Sequence, residues 1–530
     1  MGSSNSSSNS GNRSGKSSRS IGSSGSTSSK ISADTPKKTQ KKRPAGKRAR
    51  NKQINRYIRI AGRAAFLLQM LVSLFVIIRV AVTGLLPGKY LVLTTLLIVA
   101  LGVLTYLMNL RRNRVIRCIG LAISVIVIIG LLMFNNYLSK TLNLLSAGEN
   151  SYKTDDMVVA VRADDPAESI KDAADYTFGA HLVKGETGGS TAMVEDIQSR
   201  LEKNIDVKEY ASASQAAEAL LEGKVDAAIY NQAYTSVLSD LFEDYEDKVK
   251  IIDHYGIQTE YEKESVDAGE PFNILISGID VYGDISQTSR SDVNIIVTVN
   301  PKTKKILLTS TPRDYYVTIP GVSGDQRDKL THAGIYGVDA SMRTLENLYG
   351  IDITYFVRVN FDTLIKLVDA VGGLDIYVEY PFETYTDDYY FEQGWHDMYG
   401  DQVLAFCRER YSFADGDNQR GRNQEMVLKL LLDKLMSPAV LANLDEVFDA
   451  LDGCFQTNMP EKKITELVNM QLSDNASWDV LRQTASQGES ELAPTYSGGS
   501  TPLYIMWPDT ASVFINTTRI DMILEEKPEK

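Results

Sequence analysis

Residues 289–314 read SRSDVNIIVTVNPKTKKILLTSTPRD, and this stretch decides the fold. Val293–Val299 is a β-rich run, Pro301–Lys304 a turn, and Lys305–Thr309 a second strand. Upstream, Phe272–Ile276 is another such run, and downstream Ile353–Val359 and Asp375–Val378 alternate as strands. Between and after them the period changes. Asp339–Tyr349, Phe361–Val371, Gln402–Cys407 and Asn423–Leu435 have helical spacing, and Gly372-Gly373 ends the second of these. Strands and helices interleaved in this way imply an α/β domain, a mixed sheet layered α-β-α between helices. The region holds no G-x-G-x-x-G and no G-x-x-x-x-G-K-[ST], which disfavours dinucleotide and nucleoside triphosphate folds.

Charged residues gather where these strands and helices begin or end. Asp280, Arg290, Asp292, Arg313 and Asp314 form one group; Arg408, Arg410, Asp417, Arg420, Arg422 and Gln424 form a second. Each taken singly is explained by a turn, a local salt bridge or a solvated helix start. Together they have a chemistry. Carboxylates supply the hard oxygens that Mg²⁺ takes, and guanidinium forks match phosphate oxygens, so the set suits a metal-bridged pyrophosphate. The four histidines (His181, His254, His332, His396) show no zinc spacing, and G-x-S-x-G is missing, so zinc and serine hydrolases are disfavoured. For His332 a satisfied loop role is expected, with approach to the site as the alternative.

Outward from this domain, the chain of 530 residues and net charge −12 is sharply divided. Residues 1–63 carry 16 Lys and Arg against one acid, Asp34, and residues 64–138 carry no acid at all. The acidic excess lies entirely in 139–530. Three apolar runs, Ala64–Leu86, Tyr90–Leu110 and Val115–Phe134, are each long enough to span a bilayer as a helix. The basic N-terminal arm and the Arg111–Arg117 loop belong inside by the positive-inside rule, so the N-terminus is expected to be cytoplasmic and the C-terminal region extracytoplasmic. The basic run Lys37–Arg63 then faces anionic lipid, and no nucleic acid partner is expected. The divisions are a disordered basic arm (1–58), three membrane helices (59–138), a polar linker (139–156), a small accessory α/β domain (157–268), a catalytic domain (269–520) and a charged tail (521–530). Within the accessory domain, QAAEALLEGKVDAAIY resembles half of an extracellular solute-binding protein, and a spacer without a ligand is the alternative.

Five blocks, FNILISGID (272–280), SRSDVNIIVTVNP (289–301), LTSTPRDYYVTIPG (308–321), YFVRVNFDTLIKLVDAVGGLDIYV (355–378) and GWHDMYGDQVLAFCRERYSFADGDNQRGRNQE (394–425), together resemble the LytR-CpsA-Psr family of Gram-positive cell-wall assembly. The three membrane helices and accessory domain are similar to its capsule-associated CpsA branch. Two positions depart from the family pattern: Ser310-Thr311, where serine-isoleucine is usual, and Cys407, where an aromatic is common. The resemblance implies a phosphotransferase that takes an anionic glycopolymer, of capsular or teichoic-acid type, from a polyprenyl pyrophosphate carrier. It attaches the polymer to peptidoglycan through a phosphodiester and releases polyprenyl phosphate.

Carried over by position, Asp280 and Asp292 would hold Mg²⁺ or Mn²⁺. Arg290, Arg313, Arg408, Arg410, Arg420, Arg422 and Gln424 would bind the pyrophosphate. Asp417 would orient arginines, and Asp292 or Asp314 would accept the proton of the incoming hydroxyl. The apolar face of Phe361–Val371 would line a tunnel for the polyprenyl chain. Two alternatives remain: a sensor that binds the lipid-linked glycan without transferring it, and a pyrophosphatase. Cys407 and Cys454 are the two cysteines of the extracytoplasmic part, an even count that permits one disulfide, with two free thiols as the favoured reading.

Overall fold

The computed structural model describes residues 45–526, apart from 85, 150–151, 183–188, 262–265, 268, 415, 438–446, 448–449, 452 and 475. The expected disorder of the first 35 residues therefore lies outside the described part. Helices α1 (Ala45–Thr83), α2 (Gly88–Leu110) and α3 (Arg114–Glu149) each contain a stretch long and apolar enough to cross a membrane. Polar side chains on them pair with one another: Gln69 accepts from Thr105 at 3.1 Å, and Arg79 Nη1 donates to Asn135 at 2.9 Å. The turn between α1 and α2 meets the soluble part, where Lys89 Nζ donates to the Ser473 carbonyl at 2.5 Å. At the opposite ends of these helices the short turn Arg111–Asn113 joins α2 to α3. The expected polar linker is largely absent as a loop, because α3 runs on to Glu149 and the next strand starts at Tyr152.

The accessory domain is built from β1 (Tyr152–Arg162), β2 (Thr177–Ala180), α4 (Gly189–Leu201), β3 (Asp206–Glu209), α5 (Ala213–Leu221), β4 (Ala227–Asn231), α6 (Thr235–Leu241), α7 (Tyr245–Lys248) and β5 (Val249–Glu260). Its sheet has the order β3-β2-β4-β1-β5. Alternate residues of β1 feed two cores, Val159 and Val161 on one face and Val158 and Ala160 on the other. Ser212 caps α5 by accepting from the Gln215 amide at 3.2 Å.

The second domain centres on a six-stranded mixed sheet of β6 (Phe272–Ile279), β7 (Ser291–Asn300), β8 (Lys305–Ser310), β11 (Tyr355–Val359), β16 (Phe455–Thr457) and β17 (Asp479–Thr484). The short strands β9 (Tyr316–Val317) and β10 (Asp328–Lys329) form a ribbon beside it. The sheet order is β16-β11-β6-β7-β8-β17, with β11–β6 and β8–β17 parallel and the other neighbours antiparallel. Along β7, Ile296 faces α8 (Val338–Tyr349) and the C-terminal helix Thr510–Glu525, whereas Ile295 and Val297 face Leu428, Leu432 and Ile464. The α-β-α layering expected from the sequence is what forms. A third core joins α9 (Phe361–Ala370), α10 (Gly400–Arg408) and α11 (Asp417–Leu435) to the small sheet β12 (Leu374–Val378)–β15 (Gly394–Met398).

Two boundaries differ from expectation with a local cause. Helix α11 begins at Asp417, six residues before Asn423, because Gly416 carries a left-handed φ of 50° and starts the turn. Arg420 and Arg422 are thus on a helix, not in a loop. The final helix runs to Glu525, so the first half of the expected charged tail (521–530) is helical, held by burial of Ile520 and Ile523.

Candidate functional site

A cavity of about 990 Å³ lies between the β6–β7–β11 face and helices α9, α10 and α11. Its floor is apolar, with Ile276, Ile295, Leu364, Leu367, Leu428 and Leu431 among the lining side chains. Helix α9 is set in place by a capping box: Asn360 Oδ1 accepts from the Thr363 amide at 3.0 Å, and Thr363 Oγ1 accepts from the Asn360 amide at 3.2 Å. This start directs Leu364 and Leu367, one turn apart, into the cavity.

The mouth is charged. It is formed by Asp280, Arg290, Asp292, Arg313, Asp314, Arg408, Arg410, Arg420 and Gln424, all named from sequence. A β-bulge between Gly278 and Ile279 aims Asp280 there. Gly278 is required at the bulge, since a Cβ would lie 2.7 Å from Val293 Cβ. Arg313 Nη1 donates to Asp292 Oδ2 at 2.5 Å, and Thr331 donates to the other carboxylate oxygen at 2.8 Å. Burial opposes ionisation of Asp292, but Arg313, Arg420 and Arg290 outweigh it and hold its carboxyl well below the usual range. Burial likewise opposes ionisation of Asp314, and Lys329, 2.5 Å away, together with Arg313 outweighs it. Asp280 goes the other way. Burial and the neighbouring Asp292 charge raise its pKa, only partly offset by Arg408, Arg290 and Arg313.

The remaining cations are held by rings and loops. Arg408 stacks 4.6 Å over the Phe361 ring and reaches Asp387 at 3.4 Å, while Arg410 stacks 4.6 Å over Tyr411. Arg420 is buried and bonded to Asp417, which agrees with the orienting role expected of that aspartate. Arg313 Nε is buried without a hydrogen-bond acceptor, its nearest carboxylate oxygen (Asp314 Oδ2) being 3.8 Å away. An anion arriving at the mouth would supply one.

One expectation needs correction, and two open readings are decided. Arg422 is not part of the mouth: its guanidinium bonds back to Gln419 Oε1 at 2.6 and 3.0 Å, because two residues along a helix from Arg420 turns it away. His332 does not reach the cavity. It is fully buried, with Nδ1 2.6 Å from Asp328 Oδ1. Cys407 is a free buried thiol at the cavity wall, so no Cys407–Cys454 bridge forms.

Sequence reasoning missed Lys329, which salt-bridges Asp314, and Asp240, which enters the mouth from the accessory domain. Neither lies in a spacing pattern, because both arrive by tertiary contact. Among the described residues no three His, Cys, Asp or Glu side chains cluster as a metal cage. Asp280 and Asp292 both line the mouth, and as a carboxylate pair they fit Mg²⁺, which is commonly held by one or two carboxylates together with substrate phosphates.

Residues 234–501 match the model of the LytR_cpsA_psr family. The polyisoprenyl-teichoic acid–peptidoglycan teichoic acid transferase TagU of Enterococcus faecalis is 33% identical over 221 residues, covering 41% of this chain and 71% of that protein. The corresponding transferase TagV of Bacillus subtilis is 32% identical over 208 residues, covering 38% of this chain and 52% of that protein. The crystal structure of B. subtilis TagV is similar with a TM-score of 0.42 and 27% identity, covering 49% of this chain and 99% of that one.

Proposed function

Because the chain belongs to the LytR_cpsA_psr family, we propose that it is a membrane-anchored phosphotransferase moving an anionic wall glycopolymer from a polyprenyl pyrophosphate carrier to peptidoglycan. The observation that carries this reading is the continuity of the arginine-lined mouth with the apolar cavity. A ligand that fills both has a multiply charged head and a long hydrocarbon tail. Teichoic acid is the polymer named for the relatives, and capsular polysaccharide has the same carrier chemistry.

In this reading the cavity takes the first isoprene units against Leu364, Leu367 and Leu431, and Arg290, Arg313, Arg408, Arg410, Arg420 and Gln424 bind the pyrophosphate oxygens. Asp280 and Asp292 would hold Mg²⁺, which when bound neutralises part of the pyrophosphate charge. A peptidoglycan hydroxyl attacks the phosphorus that bears the glycan. The P–O bond to the bridging oxygen breaks, polyprenyl phosphate leaves, and the glycan stays on the acceptor through a phosphodiester. Charge builds on phosphoryl oxygens, so fixed guanidinium groups in a sheltered mouth supply most of the rate. Asp292 and Asp314 are held anionic by Arg313 and Lys329, and one of them would take the proton of the incoming hydroxyl as polyprenyl phosphate leaves.

The three helices would anchor the chain, with the α1–α2 turn on the side of the soluble domains and the Arg111–Asn113 turn inside the cell. Incubating the full chain with a polyprenyl-pyrophosphate-linked glycan, Mg²⁺ and peptidoglycan tests the proposal. Transfer that depends on peptidoglycan supports it; glycan phosphate released equally without acceptor marks a pyrophosphatase, and binding without turnover marks a sensor.

A further inference from the structure

The loop that carries Arg290 is held by the accessory domain. The Thr154 amide on β1 donates to the Ser286 carbonyl at 2.8 Å, and the Thr288 amide donates back to Thr154 at 3.1 Å. Asn231 at the end of β4 donates to Thr288 Oγ1 at 3.2 Å. From the other side, the turn Leu330–Tyr336 presses against the same loop at Gly334, where a Cβ would lie 2.5 Å from the Ser289 carbonyl oxygen. The backbone on both sides of Arg290 is therefore pinned, and only its side chain has room to choose partners.

The partner it has is Asp240 Oδ2, at 2.8 Å from Arg290 Nη1. Asp240 sits in the last turn of α6, where the helix dipole disfavours a negative charge, so helix stability does not account for it. Helix α6 is fixed by the fully buried Val237 and Leu238, and next to it Tyr234 meets Tyr336 of the second domain with hydroxyls 2.5 Å apart. The contact is thus presented by two packed bodies and not by a wandering side chain. Asp240 lines the cavity mouth and adds to the negative field felt by Arg313.

We propose that Asp240 is a built-in stand-in for ligand phosphate: it pairs with Arg290 and must yield it when a pyrophosphate enters. This rests on the pyrophosphate reading of the mouth. The accessory domain then acts on the reaction by setting the affinity of the mouth for anions, through one carboxylate. At 45% side-chain exposure, Asp240 can swing into solvent once displaced.

The test is binding of farnesyl diphosphate with Mg²⁺ to the full chain in detergent at low salt. Asp240→Asn is expected to tighten binding three- to tenfold, and Asp240→Glu to stay near wild type. In an Arg290→Gln background, Asp240→Asn should change affinity by less than twofold, a loss of effect that a general structural role would not produce. Unchanged or weaker binding by Asp240→Asn, with wild type still binding, overturns this proposal alone. If wild type and every variant fail to bind the diphosphate, the pyrophosphate reading falls as well. Equal melting temperatures of the variants, read by circular dichroism, keep a folding defect from passing as either result.

Discussion

Arg313 Nη1 donates to Asp292 Oδ2 at 2.5 Å, and the two side chains retain only 12% and 13% of their exposure. Each is the main counter-charge of the other, so the pair is at once part of the fold and part of the mouth. Removing one partner strands a buried charge, which costs about 3–5 kcal/mol. Arg313→Ala should therefore lose both activity and stability.

Arg408→Ala separates the two effects. Its side chain is about a third exposed and reaches Asp387 only at 3.4 Å, so unfolding free energy should change by less than ~0.5 kcal/mol. A lost charge-assisted contact of ~1.5–3 kcal/mol predicts roughly ten- to 150-fold slower turnover. Urea unfolding and initial rates on the same preparation check both; turnover within twofold of wild type would remove Arg408 from the site.

Glu425 gives a pH prediction. Its carboxylate accepts from the Ser310 amide at 3.0 Å and from Thr484 at 3.1 Å, yet burial pushes its pKa up to about 8. The folded state then holds a proton that the unfolded chain releases above its ordinary value of 4.5. Stability falls as pH rises through that window, by up to ~1.4 kcal/mol per pH unit. Glu425→Gln should remove this slope, so melting curves at pH 5 and pH 8 should differ less in the variant than in wild type. Asp292 and Asp314 have the opposite sign. Their depressed pKa values stabilise the fold above about pH 4, and that stability is lost on acidification below it.

The cavity makes a third prediction. Leu367→Trp places an indole in space meant for hydrocarbon while leaving the charged mouth intact. Affinity for a long prenyl diphosphate should drop at least fivefold, and affinity for inorganic pyrophosphate should hold. Calorimetric titration with both ligands decides it, and parallel losses would mean the tail does not use this cavity.

Metal dependence is the fourth. Turnover should require Mg²⁺ or Mn²⁺, and Asp280→Asn should raise the half-saturating concentration at least tenfold, since an amide keeps the shape but not the charge. Full turnover in EDTA would exclude a metal-bridged pyrophosphate.

Much of this was legible in the sequence because strand ends carry chemistry: Asp280, Arg290, Asp292 and Arg313 flank β6, β7 and β8, whose apolar runs are plain. The layered mixed sheet and the three apolar helices followed from period and composition, whereas the strand order did not. What was not legible came from three-dimensional approach. Asp240 and Lys329 belong to no motif, and they reach the mouth only because a separate domain and the Asp328–Lys329 strand pack there. Arg422 misled because R-G-R reads as one cationic unit, whereas on α11 the two arginines point apart. Helix α3 was cut short in the reading because its polar end beyond Ser139 looks like a linker by composition.

The central claim is that the glycan-bearing phosphorus moves with the glycan to the wall. Its most direct test follows a ³²P label in the glycan-proximal phosphate of a polyprenyl-pyrophosphate-linked glycan incubated with the full chain, Mg²⁺ and peptidoglycan. Label is expected in the insoluble wall fraction, resistant to phosphomonoesterase and matched by release of unlabelled polyprenyl phosphate. Label that leaves with the soluble glycan, or remains on intact lipid, would contradict it.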